Sequence, residues 1–559
     1  MTAAPAESRL TFALADEAAT ARLAEDIAAI IAPGDLVALS GGLGAGKTSF
    51  ARALLRALAG DSDMEAPSPT FPIRIDHPLP RFKVVHADLY RLGDSGDLDE
   101  IGLEEALSEA AVLVEWPELL PERLARNRLN VALEIAGDGR VATVEGAGTW
   151  TARLAGTRAI RAFLDQAGWR GAARQPLAGD ASSRAYERVL RVRPETHVPH
   201  PEEPRSGVST ERPERAGDAL VLRDGPSGPP QDERYRAHSS ISGQALRRSA
   251  TAVLMNAPAR EAGPPIHGGR SYDAVAHRAL DAGPFIAIGL ALRSAGVRAP
   301  EILATDAEAG LLLLEDLGGE GILDASGAPS LERYEAAVDV LVFMHGRAWP
   351  EDLKLPDGGS YRMPPYDRDA LLVEISLFPD WFGAQSGEPA FPKDARDDFL
   401  AAWSEVLEKV KGGPTTWVMR DFHSPNILWR PDAHGLARVG VLDFQDALIG
   451  HPAYDVASLA QDARAPLSEA EEAGLKARYV AGRRTQDAGF DATEFETAYA
   501  VLAAQRATKV LGAFTRLALV EGKPGYQRHR DRLKALLRQN LAHPVLSDLR
   551  LWYEPYICE

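Results

Sequence analysis

The segment GGLGAGKTSF, Gly41 to Phe50, lies between a short apolar run, LVALS, and a stretch of helical spacing, KTSFARALLRAL. Few folds accept a strand, a glycine-rich loop and a helix in that order. The pattern Gly41-x4-Gly46-Lys47-Thr48 is that of a phosphate-binding loop. Gly41, Gly44 and Gly46 let backbone amides come close to phosphate oxygens, and Lys47 brings a mobile positive charge to the β- and γ-phosphates. Thr48 offers a hydroxyl to a magnesium ion. Ser49 follows at the start of the helix, whose positive end favours the same anion. The segment predicts an ATP site on an α/β sheet.

A chain of 559 residues is too long for one ordinary core, so two or three domains are expected. The formal net charge of -18 disfavours extensive binding to a phosphate backbone, and little direct nucleic-acid contact is expected. The only cysteine is Cys558, which excludes an intramolecular disulfide and a thiolate metal cluster and fits a reducing cytoplasm. No apolar run is long enough to span a bilayer, and the acidic N-terminal stretch lacks the basic start of a signal peptide. The expected location is cytoplasmic.

The first unit reads as a helix over DEAATARLAEDIAAIIA, the strand LVALS, the loop and its helix. Two apolar runs ending in acids follow, in FKVVHADLYRL and AAVLVEWPELL, and then a hairpin turning at Asp138-Gly139. It closes near residue 155. Asp88, at the end of one of those runs, is placed to hold magnesium. Glu115, at the end of the other, is placed to orient the attacking water or to join the metal shell. A helical linker, 156–173, leads to a second unit over 174–559. Residues 194–249, rich in Pro, Arg, Ser and Gly, read as a disordered insertion.

The second unit carries RDFHSPNILW and then VLDF. Asp421 stands five residues before Asn426, and Asp443 seventeen after that. Phosphoryl transfer needs a base for a hydroxyl and oxygen ligands for magnesium on the phosphates. Asp421 is the candidate base, and Asn426 and Asp443 are the candidate metal ligands. GLLLLEDL reads as the strand into a hinge whose backbone, between Glu315 and Leu317, would pair with adenine. In GDASSR, Ser182, Ser183 and Arg184 are candidates to hold phosphates.

Residues 8–150 resemble the TsaE family, ATPases of the bacterial machinery that installs threonylcarbamoyl on tRNA adenosine. The resemblance rests on LSGGLGAGKTSFARALL, SPTF, HADLYRL, DEIGLEEAL and VEWPE. It implies a P-loop NTPase fold, TsaB- and TsaD-type partners, a γ-phosphate-sensing Thr70 and a place for Trp116 near the nucleotide. Gly42 departs from the family's usual Asp. Residues 174–545 resemble the aminoglycoside phosphotransferase-like kinases, and among them the AmgK-type kinases of N-acetylmuramate and N-acetylglucosamine. The carrying stretches include LAGDASSRAYERV, MPPYDRDALLVEISLFPDWF, VMRDFHSPNILW and GVLDFQDALIGHPAYDVASLAQDAR. That resemblance implies a bilobal α+β protein-kinase-like fold, ATP with Mg2+, and an N-acetylated amino sugar as acceptor. Tyr366 and Asp367, with Phe378, Trp381 and Phe382, are candidates to face the sugar. Met255 stands where such kinases present a lysine to the α- and β-phosphates, and Met419 replaces a usual histidine. Three readings stay open beside this one: another small hydroxylated acceptor such as an aminoglycoside, a degraded kinase, and a nucleotide site used only for binding.

Overall fold

The computed structural model describes residues 8–69, 71–92, 101–121, 124, 127–177, 184–191, 251–266, 269–382 and 391–557. The segment 194–249, Thr70, Ser182, Ser183 and Cys558 lie outside the described residues.

The first half is built on a seven-stranded sheet with the order β1-β7-β6-β2-β5-β4-β3. Its strands are β1 (Ser8–Leu14), β2 (Leu36–Ser40), β3 (Arg74–Pro78), β4 (Lys83–Asp88), β5 (Ala111–Glu115), β6 (Arg128–Ala136) and β7 (Gly139–Gly146). The central strands β6, β2, β5 and β4 run parallel. Their apolar runs are buried on both faces, as parallel strands require. Val37, Leu39 and Leu113 face one core, with α1 (Glu17–Ile30) and α2 (Lys47–Ala59). Leu36, Val112 and Val114 face the other. The strand β1 was not expected from sequence; it pairs with β7 at the sheet edge, more than 120 residues away.

The second half opens with a five-stranded antiparallel sheet in the order β11-β12-β10-β9-β8. The strands are β8 (Ala173–Pro176), β9 (Ala185–Leu190), β10 (Thr251–Asn256), β11 (Ile302–Asp306) and β12 (Leu311–Glu315). Alternation sorts their side chains between two cores. Leu254, Leu311 and Leu313 point to the outer one, and Met255, Leu312 and Leu314 to the inner one. A larger helical lobe follows. Two short strand pairs, Thr416–Val418 with Leu448–Gly450 and Ile427–Trp429 with Val439–Val441, hold its central loops.

The helix α3 (Trp150–Gln166) starts earlier than the sequence suggests and serves both halves. Trp150 and Leu154 pack in the first half's core, while Ile160, Phe163 and Leu164 cover the outer face of the second sheet. An ion cluster reinforces this seam. Arg174 of β8, fully buried, donates to Glu187 at 2.6 and 2.8 Å and to Asp26 of α1 at 2.6 Å. Arg161 of α3 donates to the same Asp26 carboxylate at 2.8 Å. Removing one partner from a buried pair strands a charge, which typically costs about 3–5 kcal/mol. Glu187 still serves Arg174, so Asp26→Ala is expected near the lower figure. The readout is a fall in the denaturant midpoint at unchanged slope; a shift below about 1 kcal/mol would show that the seam does not depend on this carboxylate.

Candidate active sites

The first site forms where β2, β4 and β5 end side by side; Leu39 and Asp88 both stand in register with Glu115. Gly41 has a φ of 134°, and a Cβ there would lie 2.2 Å from the Leu133 carbonyl oxygen, so no other residue fits. Gly44 and Gly46 also have positive φ, at 73° and 105°. Lys47 donates to the Gly41 and Gly42 carbonyls at 2.7 and 2.9 Å, and its ammonium lies 3.6 Å over the Trp116 ring. Burial lowers its pKa, opposed by the charges of Glu115, Asp88 and Glu118.

The Thr48 hydroxyl donates to Glu115 Oε2 at 2.8 Å, and His86 Nε2 stands 3.1 Å from Glu115 Oε1. Asp88, nearly buried, accepts the Tyr90 amide at 3.0 Å. Thr48, Asp88 and Glu115 form an all-oxygen donor set, which suits a magnesium ion. His86 was not singled out from sequence. Its signal was the register of HADLYRL, which puts a second polar side chain beside Glu115. Ser49 faces elsewhere: it lines a cleft between α1 and α2 with Glu17, Glu25 and Arg174.

The second site lies against a cavity of about 1020 Å³ whose lining includes Arg184, Asp421, Asn426 and Asp443. Sequence therefore named four residues that the fold brings together. The strand pair on either side of the turn sets two of them: Asn426 enters one strand, Asp443 leaves the other, and the Leu442 amide donates to the Asn426 carbonyl at 2.9 Å. Arg420 and Asp443 hold positive φ, 68° and 54°, which a β-substituted residue keeps only when its surroundings impose it. For Arg420 the cause is visible. The buried Asp455 carboxylate accepts the Met419 and Arg420 amides at 2.6 and 2.9 Å.

The Asn426 amide nitrogen donates to the Asp421 carbonyl at 2.9 Å, leaving its oxygen for a metal. Asp443 takes Gln445 at 2.8 Å and stands 3.5 Å from Arg184. Two oxygen donors suit a magnesium ion that completes its shell with phosphates and water. Burial would raise the Asp421 carboxyl, but the positive charges of Lys509, Arg420 and Arg278 hold it well below the ordinary range. Burial and the nearby Asp421 charge raise Asp443.

Other candidates stand apart. Tyr366 and Asp367 are not among the residues lining the cavity. The Tyr366 hydroxyl donates to the buried Glu374 at 2.6 Å, and Asp367 caps the helix Arg368–Ile375 by accepting the Ala370 amide. Phe378 and Phe382 stack on each other in the core, whereas Trp381 reaches the cavity. Met255 is fully buried in the inner core and brings no charge to the site. The Glu315 amide is spent on the Glu301 carbonyl at 2.8 Å and its carboxylate on Arg298, which leaves neither for a nucleobase.

Sequence reasoning missed Glu374 and Lys509. Glu374 binds Arg420, and Lys509 reaches the same carboxylate at 2.9 Å. No local motif marks either one, because they lie on helices remote in sequence from Asp421.

Residues 14–142 match the family described as threonylcarbamoyl adenosine biosynthesis protein TsaE, and residues 174–490, more than half the chain, match the phosphotransferase enzyme family. The chain is 31% identical over 402 residues to the N-acetylmuramate/N-acetylglucosamine kinase of Caulobacter vibrioides, covering 71% of this chain and 95% of that protein. It is 32% identical over 280 residues to the enzyme of that name from Pseudomonas aeruginosa, covering 48% and 76%. The tRNA threonylcarbamoyladenosine biosynthesis protein TsaE of Rickettsia bellii is 36% identical over 127 residues, 23% of this chain and 88% of that protein. Both families are ATP-using enzymes. Among the described residues no helix is long and apolar enough to cross a membrane. The chain belongs to the TsaE family over its first part and to the phosphotransferase enzyme family over its second.

Proposed function

We propose that this chain is a bifunctional enzyme. Its second half transfers the γ-phosphate of ATP to the anomeric hydroxyl of N-acetylmuramate and N-acetylglucosamine. Its first half is the ATPase that supports threonylcarbamoylation of tRNA, with TsaB- and TsaD-type partners and slow turnover when alone. The observation that carries the kinase reading is Asp421 beside Asn426 and Asp443 in one cavity. Kinship with two enzymes named for these sugars supports the acceptor.

In this mechanism Asp421 accepts a hydrogen bond from the anomeric hydroxyl and takes its proton as the new oxygen–phosphorus bond forms and the γ-phosphorus bond to the departing ADP breaks. An anomeric hydroxyl is more acidic than an ordinary alcohol, so one positioned carboxylate suffices. Asn426 and Asp443 would hold Mg2+, which would offset the charge on the transferring phosphate. Arg184, from the edge of β9, meets the phosphates where Met255 supplies no cation. In the first half Lys47 and the loop amides would cradle the phosphates, Thr48 and Asp88 would hold the metal, and Glu115 would position the water.

Among the described cavity residues, basic side chains outnumber acidic ones eight to five. That favours a neutral or anionic acceptor over a polycation. The full chain with MgATP is therefore expected to form a sugar 1-phosphate from both N-acetylated sugars and to leave kanamycin unmodified, as read by phosphorus NMR of the products. Phosphate on a primary hydroxyl, or turnover of kanamycin in preference to the sugars, would refute the assignment.

A further inference from the structure

Arg506 sits in the middle of the long helix Ala492–Val520, 6% exposed, and lines the cavity that holds Asp421. It makes no hydrogen bond or ion pair with any described residue. Its neighbours on the same wall are each provided for. Lys509, one helical turn on, pairs with Glu374 at 2.9 Å, and Arg516 pairs with Glu521 at 3.3 Å. Arg464, from the adjoining turn, lies over the Phe514 ring.

An almost buried guanidinium without a counter-charge is costly to keep. The cost falls when a ligand brings the missing anion. A guanidinium presents a planar fork that matches a carboxylate with two parallel hydrogen bonds. Arg184 approaches the same cavity from the sheet lobe beside Asp443, where the phosphates belong. Arg506 approaches from the helical lobe, on the wall that also carries Lys509. The unmatched charge is therefore on the acceptor's side.

We propose that Arg506 receives the carboxylate of an acidic amino sugar, and so sets the preference for N-acetylmuramate, which carries a lactyl carboxylate, over N-acetylglucosamine, which carries none. This rests on the sugar-kinase reading above. Arg506 is then a specificity residue: it binds a group remote from the reacting hydroxyl and takes no part in proton transfer. A charge-assisted bidentate pair contributes about 1.5–3 kcal/mol, roughly a ten- to hundredfold preference.

The test compares Arg506→Gln and Arg506→Lys with the parent in the full chain, measuring kcat/KM for both sugars and KM for MgATP. In Arg506→Gln the ratio of kcat/KM for N-acetylmuramate to that for N-acetylglucosamine is expected to fall ten- to hundredfold, chiefly through KM for the acidic sugar. Arg506→Lys keeps the charge without the fork and is expected to retain part of the preference. An unchanged ratio, or a rise confined to KM for MgATP, would overturn the proposal. If the parent phosphorylates neither sugar, the kinase assignment fails by itself. Calorimetric titration of the MgADP complex with N-acetylmuramate then still decides Arg506. Binding by the parent that is lost in Arg506→Gln supports it, and no binding by the parent overturns it.

Discussion

Replacing Asp421 by Asn is expected to lower sugar phosphorylation by roughly a hundred- to ten-thousandfold, the usual span of a general base, with affinity for MgATP nearly unchanged. The substitution keeps the side chain's shape. The loop around it is held by backbone contacts that do not involve the carboxylate: the Asp421 amide donates to Met419, Asn426 donates to the Asp421 carbonyl, and Asp455 holds the two preceding amides. What disappears is the proton acceptor and the negative charge that faces Lys509 and Arg278. Asp443→Asn is expected to act differently and weaken MgATP binding as well, because Asp443 is a metal ligand in this account. Steady-state kinetics with separate KM values for MgATP and sugar tells the two apart. Near-parental turnover by Asp421→Asn would remove it as the base.

Lys47→Ala should all but abolish ATP hydrolysis by the first half, by a hundredfold or more, since it removes a charge aimed at the transferring phosphate. Lys47 is already parked on the Gly41 and Gly42 carbonyls and over the Trp116 ring. A nucleotide would draw the ammonium from those carbonyls, and the loop, freed of it, could turn its amides to the phosphates. The assay is best run in an Asp421→Asn background, so that hydrolysis at the second site does not contribute. Parental hydrolysis by Lys47→Ala in that background would show that the glycine loop is not the hydrolytic site.

Much of both sites was legible because their chemistry is local. Gly41 to Thr48 is one loop and the helix start that follows it, and Asp421, Asn426 and Asp443 flank one strand pair within 23 residues. The acidic ends of β4 and β5 could be read from apolar runs that stop at a carboxylate. Residues brought in by tertiary packing were not legible. Glu374, Lys509 and Arg506 sit on helices whose spacing reports only burial, and nothing in a helical repeat says which charge faces Asp421. PPYD suggested a sugar contact, yet Asp367 is a helix cap and Tyr366 is tied to Glu374. The same four letters serve a helix start as well as a binding site. The strand β1 was missed because SRLTFAL gains its partner only through β7, far along the chain.

In this account one chain carries two separate nucleotide-using sites with different chemistry. The direct measurement assays phosphate release and sugar 1-phosphate formation side by side in the full-length parent, Lys47→Ala and Asp421→Asn proteins. Lys47→Ala is expected to lose sugar-independent ATP hydrolysis and keep sugar phosphorylation, and Asp421→Asn to do the reverse. Loss of both activities in either variant, or of neither in both, would contradict the assignment of two independent sites.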